Sequence, residues 1–205
     1  MDIRQMRPAD MDAVHQICLA TGNSGGDATA LYDDPKLIGQ IYAAPYAKLC
    51  SKLCFVAVDA EGVVGFVVGT VNTEAFFDTL ETHWWPGMRK IYPVPDPADR
   101  ANWTVDQKRH QMMHFPEQTP GAVTGNYPAH MHLNLLARAR GMGLGRQLLD
   151  RLLLAVAGKG AQRAHVGCNA NNVGGLAFWQ ACGFQNLSAE LSLPVNRTIW
   201  LGRQI

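Results

Sequence analysis

Seven residues, Arg140-Gly141-Met142-Gly143-Leu144-Gly145-Arg146, constrain this chain more than any other stretch. They join an apolar run, Met131 to Leu136, to a leucine-rich helical run, Gln147 to Val156. Glycine at alternate positions keeps Cβ atoms clear of the backbone, so successive N–H groups can close around an anion. The following helix adds its own unpaired N–H groups and the positive end of its dipole. Arg140 and Arg146 bracket the loop with permanent charge. The stretch reads as a pyrophosphate cradle. The competing reading is a strand-to-helix turn that holds no ligand.

Two common phosphate motifs are absent. Gly141, Gly143 and Gly145 run G-x-G-x-G rather than G-x-G-x-x-G, and no acidic residue follows about 20 positions on to hold a ribose. No Gly-Lys-Ser/Thr follows either, which removes the nucleoside triphosphate loop. With 205 residues, 47% hydrophobic, 17% charged and net charge +1, the chain fits one domain over 1–205 with a sizeable core. That balance gives no electrostatic case for nucleic acid or an anionic membrane surface. The N-terminus lacks a signal peptide's apolar core, and no long uncharged apolar run spans a bilayer. Five cysteines make an odd set, and Cys50 and Cys54 lack a second pair at zinc spacing. Reduced thiols, a cytoplasmic location and no metal site are therefore expected.

Along the chain, Ile3 to Met6 predicts a strand. Pro8-Ala9-Asp10 opens a helix through Val14, Ile17 and Cys18. Asn23 to Thr29 is a loop, and Asp34-Pro35 predicts the start of a second helix that ends before Pro45. Cys54–Val58 and Val63–Val71 form a hairpin. Residues 72–127 stand apart, rich in aromatic residues and proline, with a helix predicted over Asp106 to Met113. So long a segment must be partly ordered and packed. Two uses compete for this insert: a lid over an acceptor, or a surface for a partner, including a second copy in a homodimer.

Ala129 to Leu136 resumes the sheet, with Met131, Leu133 and Leu135 on one face and His130, His132 and Asn134 on the other. Beyond the cradle helix, closed by Gly158, Arg163 to Cys168 is a strand. Asn172 caps a short helix over Leu176 to Ala181, and Phe184 to Leu191 and Thr198 to Leu201 complete the sheet.

Arg140, Gly143 and Gly145 resemble the coenzyme A loop, R/Q-x-x-G-x-G/A, of the GNAT acetyltransferase superfamily. Downstream by one helix and one strand, Asn172 to Phe184 is similar to that superfamily's segment running from an Asn through Phe-Tyr to Gly-Phe. Tyr127 to Leu136, placed after the insert, resembles the branch related to the acetyltransferase-like C-terminal domain of O-GlcNAcase. The resemblance implies an α/β (α+β in some schemes) fold: a mixed, mostly antiparallel sheet flanked by helices and splayed at the cofactor site. It implies acetyl-CoA as cofactor and N-acetyl transfer to a small-molecule or peptide amine. By the same resemblance, Leu133, Leu135 and Leu136 hold the pantetheine arm and thioester. Arg140, Gly141, Met142, Gly143, Leu144, Gly145 and Arg146 hold the pyrophosphate, and Asn172 and Phe178 lie near the thiol end.

Trp179 departs from the pattern, standing where the superfamily's Tyr protonates the departing thiolate. An indole N–H donates a hydrogen bond but is no usable acid. A thiol with pKa about 8.5 still leaves tolerably as its anion, so the loss tends to the low end of roughly 10²-fold to 10⁴-fold. Cys182 is a candidate substitute. The amine side demands more, because removing the proton of an alkylammonium costs roughly 4–5 kcal/mol at pH 7. His132 is the candidate base, with His130 in reserve and Asn134 beside it. The alternative function is a coenzyme-binding pseudo-acetyltransferase without turnover. His110 and His114, one helical turn apart, lack a third ligand.

Overall fold

The structure, a computed structural model, describes residues 1–194 and 197–205. Strands β1 (Asp2–Gln5), β2 (Cys54–Asp59), β3 (Gly62–Thr70) and β4 (Ala129–Leu135) pair antiparallel in sequence. β5 (Arg163–Asn169) runs parallel to β4, while β7 (Thr198–Gln204) is antiparallel to β5 and carries β6 (Gln185–Asn186) at the edge. The sheet order is therefore β1-β2-β3-β4-β5-β7-β6. This is the mixed, mostly antiparallel α/β sheet expected from the sequence.

Helices α1 (Met11–Ala20), α2 (Leu37–Tyr42), α3 (Ala44–Leu49), α4 (Thr73–His83), α5 (Trp85–Ile91) and α6 (Val105–His114) contribute to an apolar cluster on one face. α7 (Gly121–Asn126) precedes β4. α8 (Leu144–Ala157) and α9 (Val173–Ala181) pack on the other face. Leu148, Leu149 and Leu152 of α8 are fully buried, and the helix packs on β2, β3 and β4. Each such leucine contributes about 1.5–3 kcal/mol by leaving water. That stripe fixes α8, and hence the turn before it, against the sheet.

Three local expectations differ from the structure. α2 begins at Leu37 rather than at Asp34-Pro35: the Asp34 carboxylate accepts from Lys36 N–H at 2.8 Å, closing a turn ahead of the helix. Pro45 opens α3 instead of only ending what precedes it, because a first-turn proline loses no helical hydrogen bond. The strand expected over Phe184 to Leu191 shrinks to Gln185–Asn186. There Asn186 Oδ1 accepts from Ser188 N–H at 2.8 Å and turns the chain away while Leu187 stays buried. The insert is largely helical. Trp85, Trp103 and Met113 are buried, and Trp84 donates to Gln40 O at 3.1 Å, whereas Phe115 is 64% exposed. Among the described residues, no helix is long and apolar enough to cross a membrane.

Candidate functional site

β4 and β5 pair only at Ala129↔Ala164 and His130↔His165. Beyond those positions β4 stays with β3 up to Leu135, and β5 stays with β7 up to Asn169, so the sheet opens between them. Burial along β4 changes at the same point, from buried residues at the paired end to half-buried ones at the open end. Leu136 N–H donates to Val64 O at 2.9 Å, so even-numbered residues of β4 turn their main chain toward β3. Odd-numbered residues turn theirs toward the gap. Leu133 and Leu135 therefore offer N–H groups to it; Leu136 spends its own on β3.

The glycine loop lies where β4 ends and α8 begins. Gly141 and Gly143 have φ of 74° and 73°, a left-handed backbone that glycine adopts without strain. Gly145 is glycine for another reason: a Cβ there would lie 2.9 Å from Phe178 Cε2 and 3.1 Å from Leu135 Cδ1. No side chain caps α8, and no described residue accepts from the N–H groups of Gly141 through Arg146. Leu144 and Gly145 are buried while Met142 is exposed. A row of uncommitted amides at a helix N-terminus suits an anion.

The loop between α1 and α2 lies across the mouth of the gap. Gly25 O accepts from Arg140 Nη2 at 2.7 Å, and Arg140 Nε also donates to Leu135 O at 3.3 Å. A Cβ on Gly25 would lie 3.1 Å from Asn172 Oδ1. Asn172 caps α9 by accepting from Gly175 N–H at 2.9 Å. Asn134 Nδ2 donates to Thr21 Oγ1 at 2.7 Å, so this amide ties β4 to the end of α1. Arg146 turns along its own helix, 3.4 Å from Asp150 and from Ala181 O. Phe178 packs on Gly145. Trp179, 7% exposed, sits edge-on to Phe178 and Phe184 inside the α8 core. Cys182 is buried beside it, and that burial pushes its thiol up.

On the even-numbered face of β4 the side chains are aromatic and polar. His130 is enclosed, with Thr73 Oγ1 2.7 Å from Nδ1 and the Tyr46 hydroxyl at Nε2. Burial holds it well below the usual imidazole range. His132 has ring contacts with Tyr42 and Tyr46 at 5.5 Å, but neither of its nitrogens is hydrogen-bonded to a described residue. Burial, then the nearby His165, lowers it to about 4. His165 donates from Nδ1 to Tyr127 O at 2.6 Å and is also held at about 4 by burial. His110 lies against the Tyr92 ring, and His114 Nε2 is 2.8 Å from Tyr92 O. A separate hollow of ≈ 480 Å³, lined in part by Asn72, Asn126, Lys159 and Arg163, lies at the opposite end of the sheet, remote from this chemistry.

Thr21, Gly25, Tyr32, Tyr42, Tyr46 and Arg109 were not singled out by the sequence. Each reaches the site through the fold rather than through spacing, and only the Gly/Ser/Asp loop over 23–29 carried a local signal.

A match to the acetyltransferase (GNAT) family covers residues 33–184. Over 206 residues the chain is 23% identical to Protein O-GlcNAcase of Rattus norvegicus, taking in 99% of this chain and 22% of that protein. It thus spans about a fifth of the length of the curated relatives it matches. The crystal structure of SsHAT has a TM-score of 0.89 and 32% identity, over 99% of this chain and 97% of that one. Chaetomium thermophilum Naa20, solved in complex with a bisubstrate analogue, shares the fold with a TM-score of 0.54 and 16% identity, over 100% and 87% of the two chains. With three-quarters of its length inside that match, the chain belongs to the acetyltransferase (GNAT) family.

Proposed function

We propose that the chain is an acetyl-CoA-dependent N-acetyltransferase that passes the acetyl group directly to an amine within a ternary complex. The observation that carries this reading is the unpaired edge of β4 beside the uncapped N-terminus of α8. The amides of Gly141 to Arg146 fit a diphosphate, with Arg140 close by. Leu133 and Leu135 fit an extended amide-bearing arm, pairing with it as a further strand would. Acetyl-CoA supplies an acetyl group activated as a thioester, with a thiolate as leaving group.

With the arm held by the Leu135 N–H and the Leu133 carbonyl, the Leu133 N–H, farther from the glycine loop, would donate to the thioester oxygen as negative charge builds there, and a fixed donor lowers the barrier. His132 is neutral throughout the physiological range, so it accepts a hydrogen bond from the incoming amine and orients it. Held at about 4, it is too weak to deprotonate an alkylammonium of pKa about 10.4. The neutral amine is therefore drawn from solution. Trp179 fills the core, so the thiolate departs without a proton from that position, which a leaving group of pKa about 8.5 tolerates.

Calorimetry with acetyl-CoA, followed by mass spectrometry of the protein with acetyl-CoA and an amine library, tests the reading. Heat of binding together with a 42-dalton gain on an amine, roughly the mass of one transferred acetyl group, is expected. Binding without transfer to any amine would leave a coenzyme-binding protein without catalysis. No binding would overturn both.

A further inference from the structure

The polar face of β4 continues into a cluster drawn from distant segments. Arg109 of α6, in the insert, donates from Nε to Tyr32 Oη at 3.0 Å and from Nη1 to Tyr42 Oη at 3.3 Å. Nη1 also lies 3.0 Å from Met112 Sδ, a weak acceptor. The guanidinium carbon is 5.8 Å from the centre of the Tyr42 ring, which is itself 5.5 Å from the His132 ring. A guanidinium has five N–H donors, and the two on Nη2 meet no described acceptor.

Several other arginines pair with carboxylates, while half-buried Arg203 gives Nη1 to Cys182 O and lies over the Phe184 ring. Arg4 pairs with Asp10 at 2.7 Å, Arg89 with Glu81 at 2.9 Å, and Arg138 with Asp59. Arg109, half-buried, has none among the described residues within ion-pair distance. Nor is it needed to dock α6. Asp106, one turn earlier, accepts from the N–H groups of Asp33 at 3.3 Å and Asp34 at 2.9 Å, anchoring that helix to the segment before α2. Exposed Glu117 acts on Arg109 only from beyond ion-pair distance, so the planar fork keeps free donors of the geometry that a carboxylate accepts in pairs.

We propose that Arg109, assisted by the Tyr32 and Tyr42 hydroxyls, receives a carboxylate of the acetyl acceptor. The acceptor is then an amine whose carboxylate lies several bonds from the nitrogen. The Tyr42 ring lies between the two groups, 5.5 Å from the His132 ring and 5.8 Å from the guanidinium carbon, which leaves room for intervening bonds between nitrogen and carboxylate. This rests on the transferase reading above and assigns its substrate class. It gives the insert a chemical role: α6 supplies the selecting charge, while β4 supplies the main chain.

The test compares matched pairs: 6-aminohexanoate with 6-aminohexanamide, and glycylglycine with glycylglycinamide, with 3-aminopropylphosphonate as a third anion. With acetyl-CoA, each carboxylate should be acetylated with kcat/KM at least tenfold above its amide, the difference lying in KM. Arg109→Met should lower the carboxylate reaction at least tenfold more than the amide reaction, and Arg109→Lys should recover part of that ratio. Tyr42→Phe, which keeps the ring, should shrink the ratio less and serves if Arg109→Met melts early. Calorimetry of 6-acetamidohexanoate against its amide, with coenzyme A present, reads the same preference without turnover. It separates failure here from failure of catalysis. A ratio near one, no carboxylate bound by either measure, equal losses on both substrates in Arg109→Met, or a tenfold preference for the phosphonate would each overturn the assignment.

Discussion

The two faces of β4 are built from different materials. On the odd-numbered side, Leu133, Leu135 and the loop through Arg146 present main-chain groups held by an aliphatic core under α8. On the even-numbered side, His132, Tyr42, Tyr46 and Arg109 present side chains gathered from β4, α2, α3 and α6. A main-chain site is indifferent to what the acceptor is, so it suits the part common to every reaction of the family. A side-chain site can be rebuilt residue by residue, so it suits the part that selects. The difference teaches where to expect invariance and where to expect novelty in chains of this kind.

The sharpest way to separate the two faces is acid. His130, His132 and His165 are all held neutral by burial, with His132 and His165 at about 4. As pH falls below about 6.5 the unfolded chain takes up protons first, so the stability these groups confer above that pH is lost down to about 4. For fully buried His165 the loss is about 3 kcal/mol at pH 4. Denaturation between pH 7 and 4 should show this fall, and His165→Asn, which keeps a donor toward Tyr127 O, should flatten it. Hydrogen exchange should find α3 and α4 loosening before α8; simultaneous loosening would mean that the faces are not separable.

A second measurement concerns rate. Because His132 is already unprotonated, kcat/KM for an alkylamine should climb about tenfold per pH unit, roughly 100-fold from pH 6 to 8. An inflection near pH 6–7 would show imidazole acting as the proton acceptor.

On the odd-numbered side, Gly145→Ala should cost about 1–3 kcal/mol, because the methyl group meets Phe178 and Leu135. Thermal melting reads the stability, and calorimetry should find acetyl-CoA bound at least tenfold less tightly. Smallest of all, Trp179→Phe should cost about 1–2 kcal/mol of stability as a core truncation. Its kcat should stay within about threefold of the parent. A collapse of kcat in a variant that melts normally would give the indole a place in the chemistry.

The same contrast explains what the sequence made legible. The cradle could be read because anion binding by main chain needs glycines adjacent in sequence, and α8 because its leucines repeat at helical spacing. The two faces of β4 followed from strict alternation. Arg109, by contrast, meets Tyr32 across 77 positions and Tyr42 across 67, a relation that no local pattern encodes. In the insert, the α6 helix expected over Asp106 to Met113 is found at Val105–His114, while α4, α5 and α7 hid for a related reason. α4 has only Phe76, Phe77 and Leu80 as apolar anchors, so its helicity depends on the cluster it joins, even though Asn72 caps it conventionally, accepting from Ala75 N–H at 3.0 Å. Asn134, singled out beside His132, turned out to be engaged with Thr21, a partner 113 positions away.

Strand parity has an evolutionary corollary. Adding or deleting one residue between Ala129 and Leu135 would exchange every inward and outward assignment beyond it, moving Leu133 among the tyrosines and His132 among the leucines. Between Thr70 and Ala129 the connection is free to lengthen or shorten by any integer, since helices and turns absorb the change. Descendants of this architecture can thus retool selectivity through indels in one segment, while the neighbouring strand tolerates substitutions only.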